Sequence, residues 1–211
     1  MKKKTTIIGI IGIVAIAVAV IVVFWMQSKK TENPGEPEVN VSQVMDILLR
    51  DIDKSYPPTP KEVLKYYSEI TCCFYNDTLT QEELEELAKR SYELYDEELK
   101  ANMPFDQYLN DLQEEVLSFQ AQKIVVSGYS VSAAADVERF YEDGFEWARL
   151  YATYRLRQGT DYMYSNEIFV MRRDESGHWK IYGFDLAKEE DTAELEEENS
   201  EKPVFLIRNL I

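Results

Sequence analysis

The sequence has a single histidine, His178, and only two cysteines, which are adjacent at Cys72 and Cys73. A catalytic histidine needs burial and an orienting partner, and His178 follows a glycine in a predicted hairpin turn, which offers neither. One histidine also argues against the usual histidine-based zinc sites. Neighbouring helical residues point about 100° apart, so we expect two thiols rather than a disulfide, with Cys73 beside the buried face and Cys72 pointing away. The sequence therefore predicts no catalytic residue, no metal ligand and no cofactor site.

Basic residues are also scarce, with 23 Lys and Arg against 39 Asp and Glu, a formal net charge of −16. The resulting negative field repels the phosphates of nucleic acids, which argues against a nucleic-acid partner. A chain of 211 residues has the length of one domain with appendages.

Charge is absent altogether from residues 7–26. As a helix, this run would span roughly 30 Å, the thickness of a bilayer core, and it is longer than the apolar part of a cleaved signal peptide. We therefore expect residues 1–28 to be a retained transmembrane anchor that contacts the membrane through residues 7–26. Three lysines precede the run and two follow it, which predicts a cytoplasmic N-terminus and a domain outside the cell.

The rest of the chain divides by composition. We assign a Pro- and Gly-containing linker to residues 29–41, an α+β domain to 42–187, an acidic tether to 188–202 and an apolar segment to 203–211. The tether has eight acidic residues against two lysines. The apolar segment is expected to dock on a sheet edge, either of its own domain or of a partner.

Helical patterns fill the first part of the domain. Pro57 and Pro58 end the first helix and form a rigid corner. Pro60 fits the first position of the second helix, where Thr59 and Glu62 form a capping box. A proline-rich ligand motif is the alternative interpretation of these prolines. Two further helices follow, the first of which begins with Thr80 and Glu83 as a second capping box, so that four helices are predicted before any strand.

From residue 123 the period changes to two, which indicates an antiparallel meander. Asp143 and Gly144, and later residues 175–177, have the composition of hairpin turns. Helices followed by strands predict an α+β fold in which helices pack on one face of a curved antiparallel sheet, after the N-terminal transmembrane helix.

One strand of this sheet alternates clearly, which suggests a place for a pocket. The residues of its inner face are Ala148, Leu150, Ala152, Tyr154 and Leu156. The small side chains of Ala148 and Ala152 would leave room beside Tyr154, which makes these three the candidate pocket residues; simple filling of the core is the alternative. Asp185 is the candidate carboxylate with a raised pKa, because Tyr182 and Phe184 lie near it in the last strand.

Three segments carry a resemblance to a known family. The stretches YPPTPKEVLKYYSEI and DEELKANMP, together with the N-terminal run, resemble an uncharacterised family of single-pass membrane-anchored proteins of Gram-positive bacteria, a domain of unknown function. A helical half followed by a sheet that closes on DESGHWKIYGFDLA is similar to the cystatin-like and nuclear-transport-factor-two-like (SnoaL-like) α+β cones. This resemblance implies a pocket between sheet and helices, used in different members for small-molecule binding, catalysis or partner assembly.

Two functions follow as hypotheses. The first is a membrane-tethered, extracytoplasmic and non-catalytic interaction or assembly module of the bacterial cell envelope, with an envelope protein as partner. The alternative is a small-molecule-binding or hydrolase- or isomerase-like enzyme that uses the interior of the cone for a ligand not yet identified. A cavity with two or more polar groups of perturbed pKa would favour the enzyme, and an interior filled by Tyr, Leu and Phe would favour the module.

Overall fold

A computed structural model describes residues 41–76 and 78–187 of the chain. Helices come first in these residues and strands follow. The helices are α1 Val41–Leu49, α2 Pro60–Asn76, α3 Gln81–Glu93, α4 Glu97–Asn102 and α5 Phe105–Gln122. The strands are β1 Ile124–Val131, β2 Glu138–Glu142, β3 Phe145–Gln158, β4 Asp161–Arg173 and β5 Trp179–Leu186. The α+β class and the order of helices before strands are as the sequence predicts.

The predicted helix starts lie where the capping residues are. Helix α2 begins at Pro60, and the Glu62 N–H donates to the Thr59 hydroxyl oxygen at 3.2 Å. Helix α3 has a complete capping box, in which Thr80 accepts from the Glu83 N–H and the Glu83 carboxylate accepts from the Thr80 N–H. Both helix starts are therefore fixed by local sequence.

The strands form one antiparallel sheet in the order β1-β3-β4-β5. The long strand β3 pairs with β1 along its second half and with β2 along its first half, so that β1 and β2 lie end to end on the same edge. Asp143 and Gly144 have φ of 52° and 85° and form the tight turn between β2 and β3, which confirms the predicted hairpin.

The core lies between the inner face of the sheet and helices α2, α3 and α5. The predicted inner residues of β3, from Ala148 to Leu156, are all buried. Helix α2 is surrounded by the sheet and by other helices, so that it has almost no solvent face. For this reason Cys72 is buried as well as Cys73, with 7% and 1% exposure, and the prediction that Cys72 points away was wrong. Both cysteines are thiols.

The transmembrane helix in the predicted fold class needs correction. None of the helices in residues 41–76 and 78–187 is long and apolar enough to cross a membrane. Helices α3 and α5 carry charged residues on the side away from the core. The predicted anchor, most of the linker, the acidic tether and the apolar segment fall in residues 1–40 and 188–211, outside the described residues. The membrane contact through residues 7–26 and the location outside the cell are therefore not tested.

Candidate functional site

A small cavity lies between α2, α5 and the inner face of the sheet. Its volume, counted as the space open to the centre of a water molecule, is about 20 Å³. The lining residues are Tyr67, Thr71, Phe74, Tyr75, Tyr108, Leu112, Tyr154, Glu167 and Phe184. This space holds about one water molecule, whereas pockets for drug-sized ligands measure roughly 300–1,000 Å³.

Glu167 brings a carboxyl group to this cavity from β4. It lies opposite Ala152 on the inner face and is only 3% exposed. The Ser165 hydroxyl donates to one of its oxygens in a long contact of 3.4 Å. Burial raises the pKa of Glu167 to about 8, because the ionised form would lose its hydration. At neutral pH the group is therefore mostly protonated.

Glu115 is a second buried carboxyl group, on α5. It shares the inner stripe of α5 with Leu112, Val116 and Phe119 and is 5% exposed. Burial raises its pKa to about 8; the nearby Tyr75 hydroxyl works against this shift, and the charge of Glu167 adds to it. Neither Glu115 oxygen has a partner with proper hydrogen-bond geometry among the described residues. A buried carboxylate without such partners is costly, so that the neutral acid is favoured.

The tyrosine hydroxyl groups of Tyr67 and Tyr154, which line the cavity with Glu167, are themselves hydrogen-bonded. The hydroxyl groups of Tyr154 and Ser68 lie 2.9 Å apart, and those of Tyr67 and Tyr95 lie 3.2 Å apart. Burial raises the pKa of Tyr154 and Tyr67 well above the usual range, so these phenols stay neutral. These buried hydroxyl and carboxyl groups form a polar cluster among the aromatic side chains of the core.

The structure brings only one of the sequence-predicted pocket residues to the cavity. Tyr154 lines it, whereas Ala148 and Ala152 are buried on the same face of β3 without lining it. Asp185 is exposed on the outer side of β5, where its carboxylate accepts from the Leu186 N–H at 2.8 Å. His178 lies before β5, as predicted, with its ring stacked on Tyr56 at 4.2 Å.

Glu115 and Glu167 are not among the sequence predictions, although the sequence contains a signal for both. Glu115 is three residues after Leu112 and one before Val116, within the apolar stripe of a predicted helix. Glu167 has the same strand phase as Phe169 and Met171. A search for polar residues at apolar phases would have found both.

In the described part of the chain, no group of three or more His, Cys, Asp or Glu side chains is placed to hold a metal ion.

The outer face of the sheet is a second candidate surface. The outward residues of β3 and β4 are partly or fully exposed, whereas the inner ones of β3 are buried. Phe140 and Trp147 stack there with ring centroids 6.3 Å apart, and Tyr162 and Tyr164 are more than half exposed. We call this surface, formed by the outward side chains of β2 to β5, the outer face.

Arginines accompany the aromatic rings of the outer face. Arg149 pairs with Glu138 at 3.2 Å. At one corner, Arg172 donates to both carboxylate oxygens of Asp96, at 2.6 and 3.0 Å, and to Glu98 at 2.7 Å. The rings of Phe145, Trp147 and Tyr182 lie 4.7–5.6 Å from its guanidinium. At this closed corner, the charged groups and rings already contact one another. On the remainder of the outer face, no described residue covers the outward side chains.

Fold and site together define a small α+β domain with a filled interior and an open aromatic and basic sheet face. Residues 1–184 match the family described as Domain of unknown function (DUF6715). This match covers most of the chain, so the chain belongs to that family, and the predicted membership of an uncharacterised family is confirmed. No curated protein matches the chain.

Proposed function

We propose that the domain is a non-catalytic interaction or assembly module that binds a partner protein through the outer face of its sheet. The observation that carries this proposal is the contrast between the two sides of the sheet. The cavity on the inner side has about 20 Å³, room for about one water molecule, and the outer side presents aromatic and arginine side chains. Aromatic residues and arginine are enriched in protein interfaces and dominate their binding energy.

The chemistry of the outer face indicates the kind of partner. Arg155 and Arg157 place positive charge on the outer face of a chain whose net charge is −16. Ile168 and Val170 add half-buried apolar surface between them and the closed corner. A partner that presents carboxylates around an apolar centre fits this arrangement. If the domain lies outside the cell, as the N-terminal sequence predicts, this partner is an envelope protein.

Site-specific photo-crosslinking in cells that make the full chain tests the proposal. A photoreactive residue in place of Ile168, at the centre of the outer face, should give a discrete crosslinked product. The same residue in place of Leu117, which is 64% exposed on α5, is the control for an exposed apolar position on the helical side. Val170→Glu should abolish the Ile168 product. No product from Ile168, or a product that survives Val170→Glu, would contradict binding through this face.

The second candidate function is a small-molecule-binding or hydrolase- or isomerase-like enzyme that uses the interior. Glu115 and Glu167 favour it, because buried carboxyl groups with a pKa raised to about 8 suit acid–base chemistry. The cavity would have to enlarge to admit a substrate. A thermal-shift screen tests this candidate. A compound that raises the melting temperature of the wild type and not of Leu112→Trp, in which the cavity is filled, would support it, and a screen without such compounds would count against it.

A further inference from the structure

Two arginines lie close together on the outer face, in the second half of β3. Arg155 and Arg157 are two positions apart, so both side chains project from the same side of the strand. In the described part of the chain neither forms an ion pair with a carboxylate, whereas Arg149 and Arg172 of the same face each do. The charge of this arginine pair is therefore not neutralised by any described residue.

Contacts with neutral groups hold the arginine pair and leave several of its donors available. The Nε and Nη2 of Arg155 donate to the hydroxyl and carbonyl oxygens of Ser127, at 2.9 and 3.3 Å. Its guanidinium carbon lies 5.5 Å from the centroid of the Tyr162 ring. Arg157 donates from Nη1 to the Gly159 carbonyl in a long contact of 3.4 Å. Among the described residues, Nη1 of Arg155 and both Nε and Nη2 of Arg157 have no acceptor, so each guanidinium can receive a carboxylate.

The strand positions beside the arginine pair carry no negative charge. They are Val125 and Gly128 on β1, and Tyr162 and Tyr164 on β4. The two tyrosine side chains are 55% and 57% exposed on the outer face. A ligand at the arginine pair would therefore contact two aromatic rings as well as two positive charges.

The spacing of the arginine pair fits an extended ligand. Residues two positions apart in a strand are separated by about 7 Å and point to the same side. Any other extended segment has the same repeat, so two of its carboxylates at alternate positions can lie over the two guanidinium groups. Each carboxylate can then accept two parallel hydrogen bonds from one arginine, which is the strongest geometry for such a pair.

We propose that Arg155 and Arg157 bind an extended acidic segment of the partner protein, with one carboxylate on each guanidinium. This inference rests on the proposed function, because it names the part of the partner that the outer face recognises. Farther along β3, Tyr151 and Ile168 are opposite each other and half-buried, so an apolar side chain of the same segment can pack there. A polyphosphate strand has anions at a similar spacing, but its dense charge is repelled by the net charge of −16.

Titration of the full chain with synthetic peptides at low ionic strength tests the inference. The first probe is an octapeptide in which glutamate and threonine alternate, with a fluorescent label whose polarisation reports binding. The second has the same composition, rearranged so that no two glutamates are two positions apart while pairs four positions apart remain. The alternating octapeptide should bind about tenfold or more tightly, because only its carboxylates reach both guanidinium groups from one side of an extended segment.

Reversal of the charges supplies the decisive variant. Arg155→Glu/Arg157→Glu should lose the alternating octapeptide and bind its counterpart in which lysine replaces glutamate. A gain of binding cannot come from misfolding of the domain. The matched control is Arg139→Glu/Arg173→Glu, which reverses two exposed arginines that pair with Glu146 away from the outer face. This control should bind the alternating octapeptide as the wild type does.

Four results would overturn the inference. Equal affinity for the two octapeptides would show that the spacing is not recognised. Inorganic polyphosphate that competes as well as the unlabelled alternating octapeptide would assign the arginine pair to a polyanion. Binding that appears only after the acidic residues in 188–202 are changed to Gln or Asn would assign the pair to the acidic tether of the same chain. No binding by the wild type, with an Ile168 crosslink that persists in Arg155→Glu/Arg157→Glu, would refute this inference and leave the proposed function standing.

Discussion

At the scale of single residues, Glu115 and Glu167 place two carboxylic acids where a core usually has apolar side chains. Burial raises their pKa values to about 8, from the 4.5 usual for a glutamate side chain. The folded state therefore binds protons that the unfolded chain releases above pH 4.5. The two acids make the folded state sensitive to pH across the neutral range.

We predict that the free energy of unfolding falls as the pH is raised from about 5 to about 8. In the folded state the two carboxyl groups stay protonated up to their raised pKa, whereas in the unfolded chain they ionise at a lower pH. Between these two pKa values, each rise in pH therefore favours the unfolded state further. The stabilising contribution is complete below the unfolded pKa and is lost as the pH approaches 8. The slope is at most about 1.4 kcal/mol per pH unit for each group. Urea unfolding at four pH values measures it.

The matched variants for this prediction are Glu115→Gln and Glu167→Gln, which remove the titration and keep the shape. Each should flatten part of the profile. Glu114→Gln, at an exposed neighbouring position on α5, should leave the profile as in the wild type. A profile that keeps its slope in the Glu115→Gln/Glu167→Gln double variant would show that other groups cause the pH dependence.

Tyr154 carries a separate prediction at this scale. Tyr154→Phe removes the buried hydroxyl contact of 2.9 Å to Ser68 and leaves the Ser68 hydroxyl without that partner. We expect a loss of about 1–2 kcal/mol in the free energy of unfolding. In a double-mutant cycle with Ser68→Ala, the combined loss should be smaller than the sum of the two single losses. Tyr164→Phe, on the exposed outer face, is the control; strict additivity at Tyr154 and Ser68 would contradict the contact.

The sequence predicts a site residue correctly only when its position in the helical or strand period is taken into account. Tyr154 could be placed because β3 alternates without interruption. The aromatic neighbours of Asp185 favour an interior position, but Phe184 points inward, so that alternation turns Asp185 to the outer side. The sequence predictions do not include Glu115, because a helical stripe is usually traced through apolar residues alone. The burial of Glu115 and Glu167 depends on how α5 packs against β4, and the local sequence pattern does not specify this packing.

At the scale of elements, Arg172 attaches the connection between α3 and α4 to the sheet. Asp96 caps α4 through its contact with the Glu98 N–H, and its own N–H donates to the Ile181 carbonyl. The ion pair of Asp96 with Arg172 is nearly buried, with side-chain exposures of 5% and 13%. Asp96 thus joins a helix start and an arginine through its carboxylate, and an edge strand through its N–H.

Arg172→Leu should lower the free energy of unfolding by about 3 kcal/mol, because it leaves Asp96 as a buried charge without its partner. Amide exchange at Asp96 and Ile181 should become faster at the same time. Arg173→Leu is the matched control, because the ion pair of Arg173 with Glu146 is exposed and exposed pairs contribute little. Equal losses for the two variants in denaturant titrations would contradict this role of Arg172.

Element boundaries follow the sequence where capping residues are present and depart from it elsewhere. Thr59, Pro60, Thr80 and Glu83 mark the starts of α2 and α3 correctly. The short helix α4, Glu97–Asn102, was not predicted, because six residues are too few for a helical period to be recognised. Its existence depends on Asp96 and on docking against β5, which are tertiary contacts.

At the scale of the whole molecule, the excess of acidic residues sets the response to salt. Repulsion among like charges destabilises a compact state, and added salt screens it. We predict that the melting temperature at pH 7 rises by about 2–4 °C between low and moderate NaCl, which corresponds to about 1 kcal/mol. Near pH 4.5, the sequence pI, the effect should be small. A melting temperature at pH 7 that falls with salt would show that attractive ion pairs dominate.

The hairpin of β3 and β4 has a consequence for the order of folding. Its ladder runs from Trp147↔Arg172 to Gln158↔Asp161 around the two residues Gly159 and Thr160, and β1, β2 and β5 all pair with one of its strands. Such local contacts close with little loss of chain entropy, so this hairpin should already be formed in the transition state for folding. Gly159 has a φ of 58° with open space around it, so Gly159→Ala strains only the turn. Stopped-flow measurements should therefore show slower refolding and nearly unchanged unfolding, and faster unfolding alone would place the hairpin late.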